Sequence, residues 1–266
     1  MYLQHFGLIH DPLGKNIRKT VADEQYSILA NKLNWLLQTK GIGLVTGDAG
    51  TGKTTALRKW TEALNPMIYK IIYQSDNHFR AFDIYCQLAD NLGLERYHRY
   101  CKLWRVLKQE LLSLHDDKQL TPIWILDEAH LLPINFLAQL PSFLNFNFDT
   151  RDVMIIILIG LPQLSAVLKR SVYSALKSRI LFDFYWQPLD DFASFRKFVI
   201  SAFRQAGKEE VIISDSGLKL IHLASTGRLR DTHKIITQSL QLATEAKLNH
   251  LPDNLIESAI ANLKLN

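Results

Sequence analysis

The sequence predicts a parallel α/β sheet covered by helices on both faces, followed by a small all-helical domain. Three observations support this fold class. Five strand-like segments alternate with helical ones, one of these segments is apolar throughout, and no such segment is convincing after residue 190. Parallel strands need long, usually helical connections, so the alternation indicates a parallel sheet. The chain of 266 residues can hold this domain and a smaller companion.

The five predicted strands are short apolar segments. The apolar run at residues 153–159 is far shorter than the roughly twenty residues that cross a bilayer, so it indicates a strand with both faces buried. In chain order, the predicted strands of the five-stranded sheet are residues 42–46, 67–73, 122–126, 153–159 and 180–186.

The clearest predicted helix covers residues 97–114. Its apolar residues recur at alternating spacings of three and four, which places them on one helix face; they are Tyr97, Tyr100, Trp104, Leu107, Leu111 and Leu114. After residue 190, Gly207 and Gly227 mark helix boundaries, and Pro252 opens the last helix. The helices predicted there cover about residues 191–206, 215–224, 229–247 and 253–263.

The N-terminal residues lack a regular pattern. They are predicted to form an irregular arm that packs on the core through Phe6, Leu8 and Leu13. The predicted organisation is therefore an N-terminal arm at 1–20, an α/β domain at 21–190 and a helical domain at 191–266.

Composition and charge exclude several classes of protein. The N-terminus lacks the features of a signal peptide, and the two cysteines, Cys86 and Cys101, have no metal-binding spacing. We therefore expect a cytoplasmic protein with no membrane segment and no zinc site. The chain has 31 Lys and Arg against 26 Asp and Glu, a net charge of +5, which is compatible with nucleic acid binding without requiring it.

Residues 47–54 form a complete phosphate-binding motif, G-x-x-x-x-G-K-[ST], between a predicted strand and a helix-forming stretch. Glycines let backbone N–H groups surround a polyphosphate, and a helix N-terminus adds partial positive charge. Lys53 is expected to reach the β- and γ-phosphates of ATP, and Thr54 to ligate Mg²⁺. The predicted nucleotide-binding residues are Gly47, Asp48, Ala49, Gly50, Thr51, Gly52, Lys53, Thr54 and Thr55.

A second motif follows the third predicted strand, where an apolar run leads directly into Asp127, Glu128 and then His130. Carboxylates at the carboxyl end of a buried strand lie where open α/β sheets bind their ligands. Asp127 is expected to hold Mg²⁺, and Glu128 to act as general base toward the water that attacks the γ-phosphate. His130 is expected to orient Glu128 or to cap a helix. The alternative, a strand followed by an acidic helix cap, is disfavoured by the phosphate loop upstream.

The four letters from Asp127 to His130, D-E-A-H, also label a superfamily of helicases. Those enzymes clamp nucleic acid between two α/β domains, whereas this sequence has one phosphate loop and a helical remainder. A helicase is therefore not predicted.

The two motifs and the helical domain after them resemble an AAA+ ATPase. Further segments resemble the ExeA/GspA-type ATPases, a broad group that includes the transposition regulators TniB and TnsC. They are Met1-Tyr2-Leu3 with Phe6-Gly7-Leu8 and Asp11-Pro12, then residues 158–164, and then 227–230. The resemblance spans nearly the whole chain. It implies an AAA+ P-loop fold with a helical lid, ATP and Mg²⁺ as ligands, ATP hydrolysis, and a homo-oligomeric ring or filament.

The resemblance also assigns roles to two arginines. Arg230, at the head of a predicted lid helix, matches the sensor-2 arginine that contacts the γ-phosphate within one subunit. Arg179, just before the last predicted strand, matches the arginine finger offered to a neighbouring subunit. An ordinary surface arginine is the alternative in each case. A polar sensor-1 residue is expected after the fourth strand, but Leu161 stands there and Gln163 is the nearest candidate.

Five cations between residues 96 and 108 have no acidic residue among them. Arg99, Lys102 and Arg105 project away from the apolar seam of the predicted helix, and Arg96 and Lys108 flank it. Such a track suits the phosphate backbone of double-stranded DNA, which carries no sequence information, so DNA binding without sequence preference is expected. The solvated face of a surface helix is the alternative. A ring or filament would make even weak contacts multivalent.

Two classes of function follow from the resemblance. The first is a regulator of DNA transposition that assembles on duplex DNA with ATP and recruits or activates a transposase, in concert with target-selection proteins. The second is a cytoplasmic ATPase of the ExeA/GspA type that supports secretion or envelope assembly. Members of that group carry a transmembrane helix and a wall-binding domain after the ATPase part, and their absence before Asn266 favours transposition. A clamp loader or replication initiator would add a further domain and is not predicted.

Overall fold

The computed structural model describes residues 2–14, 24–75, 80–210 and 212–263. Its strands are β1 (Gly41–Thr46), β2 (Tyr69–Gln74), β3 (Thr121–Leu126), β4 (Ile155–Gly160) and β5 (Ile180–Tyr185). Its α-helices are α1 (Tyr2–Phe6), α2 (Glu24–Thr39), α3 (Lys53–Glu62), α4 (Ala81–Leu92), α5 (Tyr100–Asp116), α6 (Ile134–Leu144), α7 (Pro162–Leu168), α8 (Ser174–Lys177), α9 (Phe192–Gln205), α10 (Asp215–Ser225), α11 (Leu229–Glu245) and α12 (Asp253–Asn262).

The strands form one parallel sheet in the order β2-β3-β4-β1-β5. The sheet between helices, followed by a helical region, confirms the predicted fold class. All five predicted strands are present, and their ends differ from the prediction by at most two residues. The same holds for the helices predicted after residue 190, because turn residues mark their boundaries clearly.

The sheet is buried on both faces, and β4 shows why an uninterrupted apolar run was needed. Ile156 and Leu158 pack with α4, α5 and α6 on one face, whereas Ile155, Ile157 and Ile159 pack with α2 and α3 on the other. Successive side chains of a strand point to opposite faces, so every residue of a doubly covered strand must be apolar.

The helix predicted over residues 97–114 begins three residues later, at Tyr100. The preceding helix, α4, ends at Gly93, whose backbone is left-handed with φ of 77°, and residues 94–99 connect the two helices. Leu94 and Tyr97 pack on the core from this connection. Tyr97 therefore continues the apolar spacing of α5 without being part of the helix, which is why the sequence pattern placed the start too early.

The contacts divide the chain into two compact units. The first, called the α/β unit, comprises Gln25–Gly47 and Lys53–Trp186. The second, called the helical unit, comprises the described residues of Met1–Glu24, Asp48–Gly52 and Gln187–Asn266. The predicted division into domains at 1–20, 21–190 and 191–266 stays a prediction.

The N-terminal segment belongs to the core of the helical unit. It begins with the short helix α1 and is therefore less irregular than predicted. Phe6 and Leu8 are buried among apolar residues of α9 to α12, and Leu13 packs against the same cluster. The backbone N–H of Ile9 donates to the carbonyl of Ala206 at 2.9 Å. The predicted anchors therefore pack on the helical core; residues 15–20 of the predicted arm lie outside the described residues.

In the part of the chain that the structure describes, none of the helices combines the length and the apolar character needed to cross a bilayer.

Asp11 ties the N-terminal segment to α11. Its Oδ2 lies 2.7 Å from Nε2 of His233 and accepts a hydrogen bond from the Tyr2 hydroxyl at 3.4 Å, while its Oδ1 accepts one from Leu13 N–H at 3.1 Å. Partial burial acts to raise the pKa of Asp11, but the hydrogen bond and charge of His233 outweigh it, so the pKa lies below its usual value. A lowered carboxyl pKa stabilises the fold above the unfolded pKa of about 4 and ceases to do so as the pH falls through the folded pKa.

We expect Asp11→Asn to lower the melting temperature at pH 7 by roughly 2 to 4 °C, since it removes about 1 kcal/mol of partly solvated pairing. The difference should shrink as the pH falls below about 4 and through the lowered folded pKa of Asp11, because its carboxylate is protonated there in the wild type. Thermal denaturation followed by circular dichroism between pH 3 and 7 measures this. Asp190→Asn, which removes an exposed carboxylate of the same unit, is the control. Equal melting of Asp11→Asn and wild type at pH 7 would contradict the predicted tie.

Candidate functional site

The two sequence motifs meet at the carboxyl edge of the sheet. The phosphate loop follows β1 and the acidic pair follows β3, and these strands are separated in the sheet by β4 alone. Parallel α/β sheets bind ligands outside the carboxyl ends of their strands. Fold topology therefore brings together residues that are more than seventy positions apart in the chain.

Asp127 is the centre of this arrangement. Its carboxylate is almost fully buried, and its Oδ2 accepts hydrogen bonds from the Thr54 hydroxyl at 2.8 Å and from the Tyr73 hydroxyl at 2.7 Å. Its Oδ1 accepts one from the backbone N–H of Glu128 at 2.8 Å. The carboxylate is thus held in one orientation from three sides.

The donor set fits a magnesium ion. Mg²⁺ prefers oxygen ligands and is usually held in proteins by one or two carboxylates or hydroxyls together with substrate phosphates. The Thr54 hydroxyl and the Asp127 carboxylate are oxygen donors within hydrogen-bond distance of each other, so these two residues would hold the ion. A bound ion would neutralise charge on the β- and γ-phosphates.

Lys53 begins α3 at the end of the phosphate loop and is buried. Its Nζ donates to the carbonyl oxygen of Gly47 at 2.7 Å. A Cβ atom at Gly47 would lie only 2.3 Å from the carbonyl oxygen of Trp186, so no other residue fits this approach without moving the backbone. The first glycine of the loop thus approaches the backbone of Trp186, and the Lys53 ammonium, a group that binds phosphate as a point charge, lies at the start of α3.

The middle of the phosphate loop, Asp48–Gly52, groups with the helical unit. The backbone N–H of Arg230, near the start of α11, donates to the carbonyl of Gly50 at 3.0 Å. Gly50 has φ of 78°, and a Cβ atom there would lie 2.7 Å from Cβ of Arg230. Arg230 therefore packs against the loop, as a residue that contacts bound phosphate would need to do. Ala49 and Thr51 lie in the same stretch, whereas Thr55 lies in the first turn of α3.

Glu128 has a left-handed backbone, with φ of 50° and ψ of 37°. This region is unfavourable for residues with a side chain, and such strain is concentrated at functional sites. Its side chain is 54% exposed, so its carboxylate can reach a bound water. A strained, accessible carboxylate next to the buried Asp127 is suited to act as a general base.

His130 lies beside the end of β4. Its Nδ1 is 3.5 Å from a carboxylate oxygen of Glu128 and 3.4 Å from the backbone N–H of Leu161. With Nδ1 unprotonated the ring accepts from Leu161, and with a proton on Nδ1 it can donate to Glu128, so these contacts exclude each other. Gly160 leaves room for His130, because a Cβ atom at residue 160 would lie 3.2 Å from the backbone nitrogen of His130 and 3.5 Å from its Nδ1.

Leu161 directly follows β4, and the sensor-1 role of Gln163 stays a prediction. Gln163, the nearest candidate in the sequence, is exposed in the first turn of α7. The polar side chain that the structure brings to the carboxyl end of β4 is His130, from the segment after β3.

Arg179 lies between α8 and β5, and its guanidinium forms an ion pair with Asp149 at 2.5 Å. Its side chain is 22% exposed. In the α/β unit Arg179 is thus paired with a carboxylate of the same chain.

The structure separates the five cations predicted to contact DNA. Arg96 precedes α5 and lies 3.9 Å from Asp90, and Arg99 is the N-cap residue of the helix. Lys102 and Arg105 are exposed on α5, with the Lys102 ammonium 5.0 Å from the centre of the Tyr97 ring.

Lys108 has a different environment from the other four. Its Nζ donates to the carbonyl of Asn145, which ends α6, and lies 4.6 Å from the centre of the Phe146 ring. Burial lowers the pKa of Lys108. These contacts indicate that Lys108 joins α5 to the end of α6, while the exposed cations Lys102 and Arg105 remain available on the helix surface.

Tyr73 is a site residue that the sequence analysis missed. It lies near the end of β2, which neighbours β3, and its hydroxyl bonds to Asp127. The available signal was topological: once β2 and β3 are adjacent parallel strands, polar residues at their carboxyl ends must lie close together. A tyrosine in an apolar strand gives no such indication by itself.

The geometry predicts that two substitutions of Glu128 both lower ATP turnover and that one of them also stabilises the fold. Glu128→Gln should lower ATP turnover by about 10²-fold or more, since it removes the base, and should leave ATP affinity unchanged. Glu128→Gly should also stop turnover but raise the melting temperature by roughly 2 to 4 °C, because glycine adopts φ > 0 without strain. Turnover, ATP binding and thermal melting measure these effects, with Glu62→Gln, at an exposed carboxylate that ends α3, as control. Normal turnover of Glu128→Gln, or a lower melting temperature of Glu128→Gly, would contradict the assignment.

Solved structures share this fold at low sequence identity. The ORC1 protein of Aeropyrum pernix, in complex with DNA, has a TM-score of 0.73 at 17% identity, over 95% of this chain and 68% of that one. Cdc6p of Pyrobaculum aerophilum has 0.76 at 16%, over 97% and 72%. The RuvB Holliday junction branch migration motor of Thermotoga maritima has 0.59 at 16%, over 97% and 74%. At these identities the likeness shows the fold alone.

A curated relative is similar in sequence. General secretion pathway protein A of Aeromonas hydrophila is 29% identical over 259 residues, which are 94% of this chain and 46% of that protein. The chain thus spans about half the length of this relative. The predicted resemblance to GspA-type proteins is supported, while the grouping with TniB and TnsC stays a prediction.

The AAA domain family matches residues 36–168, which are half of the chain. The match covers the sheet from β1 to β4 with both motifs, that is, the residues on which the site is built. The chain therefore belongs to the AAA domain family, and this membership supports a nucleotide-hydrolysing ATPase.

Proposed function

We propose that this protein is an ATP-hydrolysing molecular switch whose active site is completed by a second copy of the chain. The observation that carries the proposal is the buried Asp127 carboxylate, bonded to the Thr54 hydroxyl and followed directly by the strained Glu128. Lys53 binds the β- and γ-phosphates, Thr54 and Asp127 hold Mg²⁺, and Glu128 removes a proton from the attacking water.

Two arginines complete the proposed site. Arg230, which packs against Gly50 of the phosphate loop, contacts the γ-phosphate of its own subunit. Arg179 reaches the ATP of a neighbouring copy as an arginine finger, a contribution worth about 10³ to 10⁵ in rate, or about 4 to 7 kcal/mol of barrier. An isolated subunit therefore hydrolyses ATP slowly, and a ring or filament hydrolyses it faster.

The proposed target of the assembly is duplex DNA, where the protein recruits or activates a transposase together with target-selection proteins. Support comes from the exposed cations Arg99, Lys102 and Arg105 with no acidic side chain between them in the sequence. It also comes from the fold shared with ORC1, whose structure was determined with DNA. The cytoplasmic location stays a prediction.

A second candidate function is support of secretion or envelope assembly. The sequence similarity to General secretion pathway protein A favours it. In that case the ATPase site works as described, but its assembly acts on protein partners and does not need the cations of α5.

The two functions differ in DNA binding. We expect the purified protein with ATP and Mg²⁺ to bind random-sequence duplex DNA, to bind it far more weakly with ADP, and to lose affinity steeply between two salt concentrations. Fluorescence anisotropy of labelled duplex measures all three. The double variant Lys102→Gln/Arg105→Gln should reduce the slope of log affinity against log salt by about two, one for each lost phosphate contact.

The matched control is Lys169→Gln/Arg170→Gln, which removes the same charge from an exposed site of the α/β unit. It should leave the salt slope unchanged. Equal binding with ATP and ADP would refute the switch on DNA, and absence of binding in both states would favour the secretion function.

A further inference from the structure

Residues 146–151, called the tip segment, lie in the connection between α6 and β4, and contacts hold both ends of the segment. Phe146 and Arg151 pair across it as an antiparallel bridge. Phe146 is buried, and Arg151 forms an ion pair with Asp116 of α5 at 2.5 Å. The two ends of the segment are therefore held in place.

The tip of the segment is strained and exposed. Asn147, Phe148 and Asp149 have φ of 49°, 57° and 64°, so three consecutive residues with side chains are left-handed. Residues other than glycine adopt this conformation singly and at an energetic cost, and Asn and Asp are the best tolerated of them. Phe148, the least suited of the three, is fully exposed, at 101% of its reference area. The strained backbone therefore carries a fully exposed aromatic ring.

The tip segment also forms an ion pair with a residue of the proposed active site, Arg179, which lies outside the segment. Asp149 forms the ion pair with Arg179, the proposed arginine finger. Strain of this kind marks functional segments, and exposed aromatic side chains are the residue type that anchors protein interfaces. The exposed ring and the paired arginine are therefore two parts of one feature.

We propose that the tip segment docks on a second copy of this chain: Phe148 is the anchor, and Asp149 restrains Arg179 until the neighbour is in place. The proposal rests on the proposed function, since the acceptor for Arg179 is there the ATP of the neighbouring copy. When the copies meet, the phosphate charge of that ATP replaces Asp149 as the partner of Arg179.

The charge of the segment argues against a nucleic acid in this position. Asp149 and Asp152 are acidic, and the one cation between them, Arg151, is neutralised by Asp116. A phosphate backbone would be repelled by these carboxylates. A protein surface that accepts an aromatic ring fits the segment, and the proposed role of the adjacent Arg179 as an arginine finger makes a second copy the partner.

The first test measures assembly in the Glu128→Gln background with ATP and Mg²⁺, so that hydrolysis does not interfere. Analytical ultracentrifugation over a concentration series gives the midpoint of assembly. Phe148→Ser should raise this midpoint by about tenfold or more, as expected for an interface anchor. Met67→Ser, at another exposed apolar side chain of the α/β unit, should shift it by less than about twofold.

The second test separates the docking role from a merely structural one. Phe148→Gly relieves the left-handed strain, so it should raise the melting temperature by roughly 2 to 4 °C while it weakens assembly. A lower melting temperature with weaker assembly would mean that the ring stabilises the fold, and it would overturn the proposal.

The third test concerns the restraint on Arg179. Asp149→Asn keeps the size of the side chain and tolerates the left-handed backbone. In an otherwise wild-type chain it should raise ATP turnover of the assembled protein by about threefold, the range of a partly solvated ion pair. Unchanged or lower turnover would overturn the restraint.

The outcomes distinguish this inference from the proposed function. If the parent protein with Glu128→Gln does not assemble with ATP, the shared active site itself is wrong and the docking role falls with it. If it assembles and Phe148→Ser assembles equally well, the shared site stands and the role of the tip segment is refuted.

Discussion

The arrangement of the site depends on one buried carboxylate, that of Asp127. A buried charge is costly unless hydrogen bonds compensate it, and the donors here come from three separate parts of the chain. The Thr54 hydroxyl from α3, the Tyr73 hydroxyl from β2 and the Glu128 N–H after β3 all reach it. Meeting this one requirement fixes the start of α3 against the ends of two strands, and it brings the two proposed Mg²⁺ ligands together.

Backbone strain coincides with proposed functional residues in the α/β unit. Glu128 is left-handed directly after the best-supported carboxylate, and Phe148 is left-handed directly before the partner of Arg179. The core supplies the stability that permits this, because β4 is buried on both faces and the helices around it pack tightly. A sequence selected for stability alone would place glycine at such positions. The residues found there instead carry a base and an exposed ring, which the proposed reaction and assembly use.

Much of the fold could be predicted because its signals are local. The strand at Ile155–Gly160 was predicted from an unbroken apolar run. The phosphate loop and Asp127 were predicted from sequence motifs whose residues have known chemical roles. The contacts of Tyr73 with Asp127, of His130 with Leu161 after β4 and of Asp149 with Arg179 could not be predicted, since each depends on which strands and loops are neighbours in space. The false start of α5 at Tyr97 has the same origin: an apolar residue in a connection packs on the core at helical spacing.

In the proposed assembly, Glu128 of one copy and Arg179 of another act on the same ATP. The most direct test mixes two proteins, Glu128→Gln and Arg179→Ala, each expected to be almost inactive alone, and measures ATP turnover. In a mixture of equal amounts, an interface with both groups intact forms when an Arg179→Ala subunit holds the ATP and a Glu128→Gln subunit supplies the arginine. Random head-to-tail assembly should then recover about a quarter of wild-type turnover. A mixture as inactive as its components would show that the active site is not shared between copies.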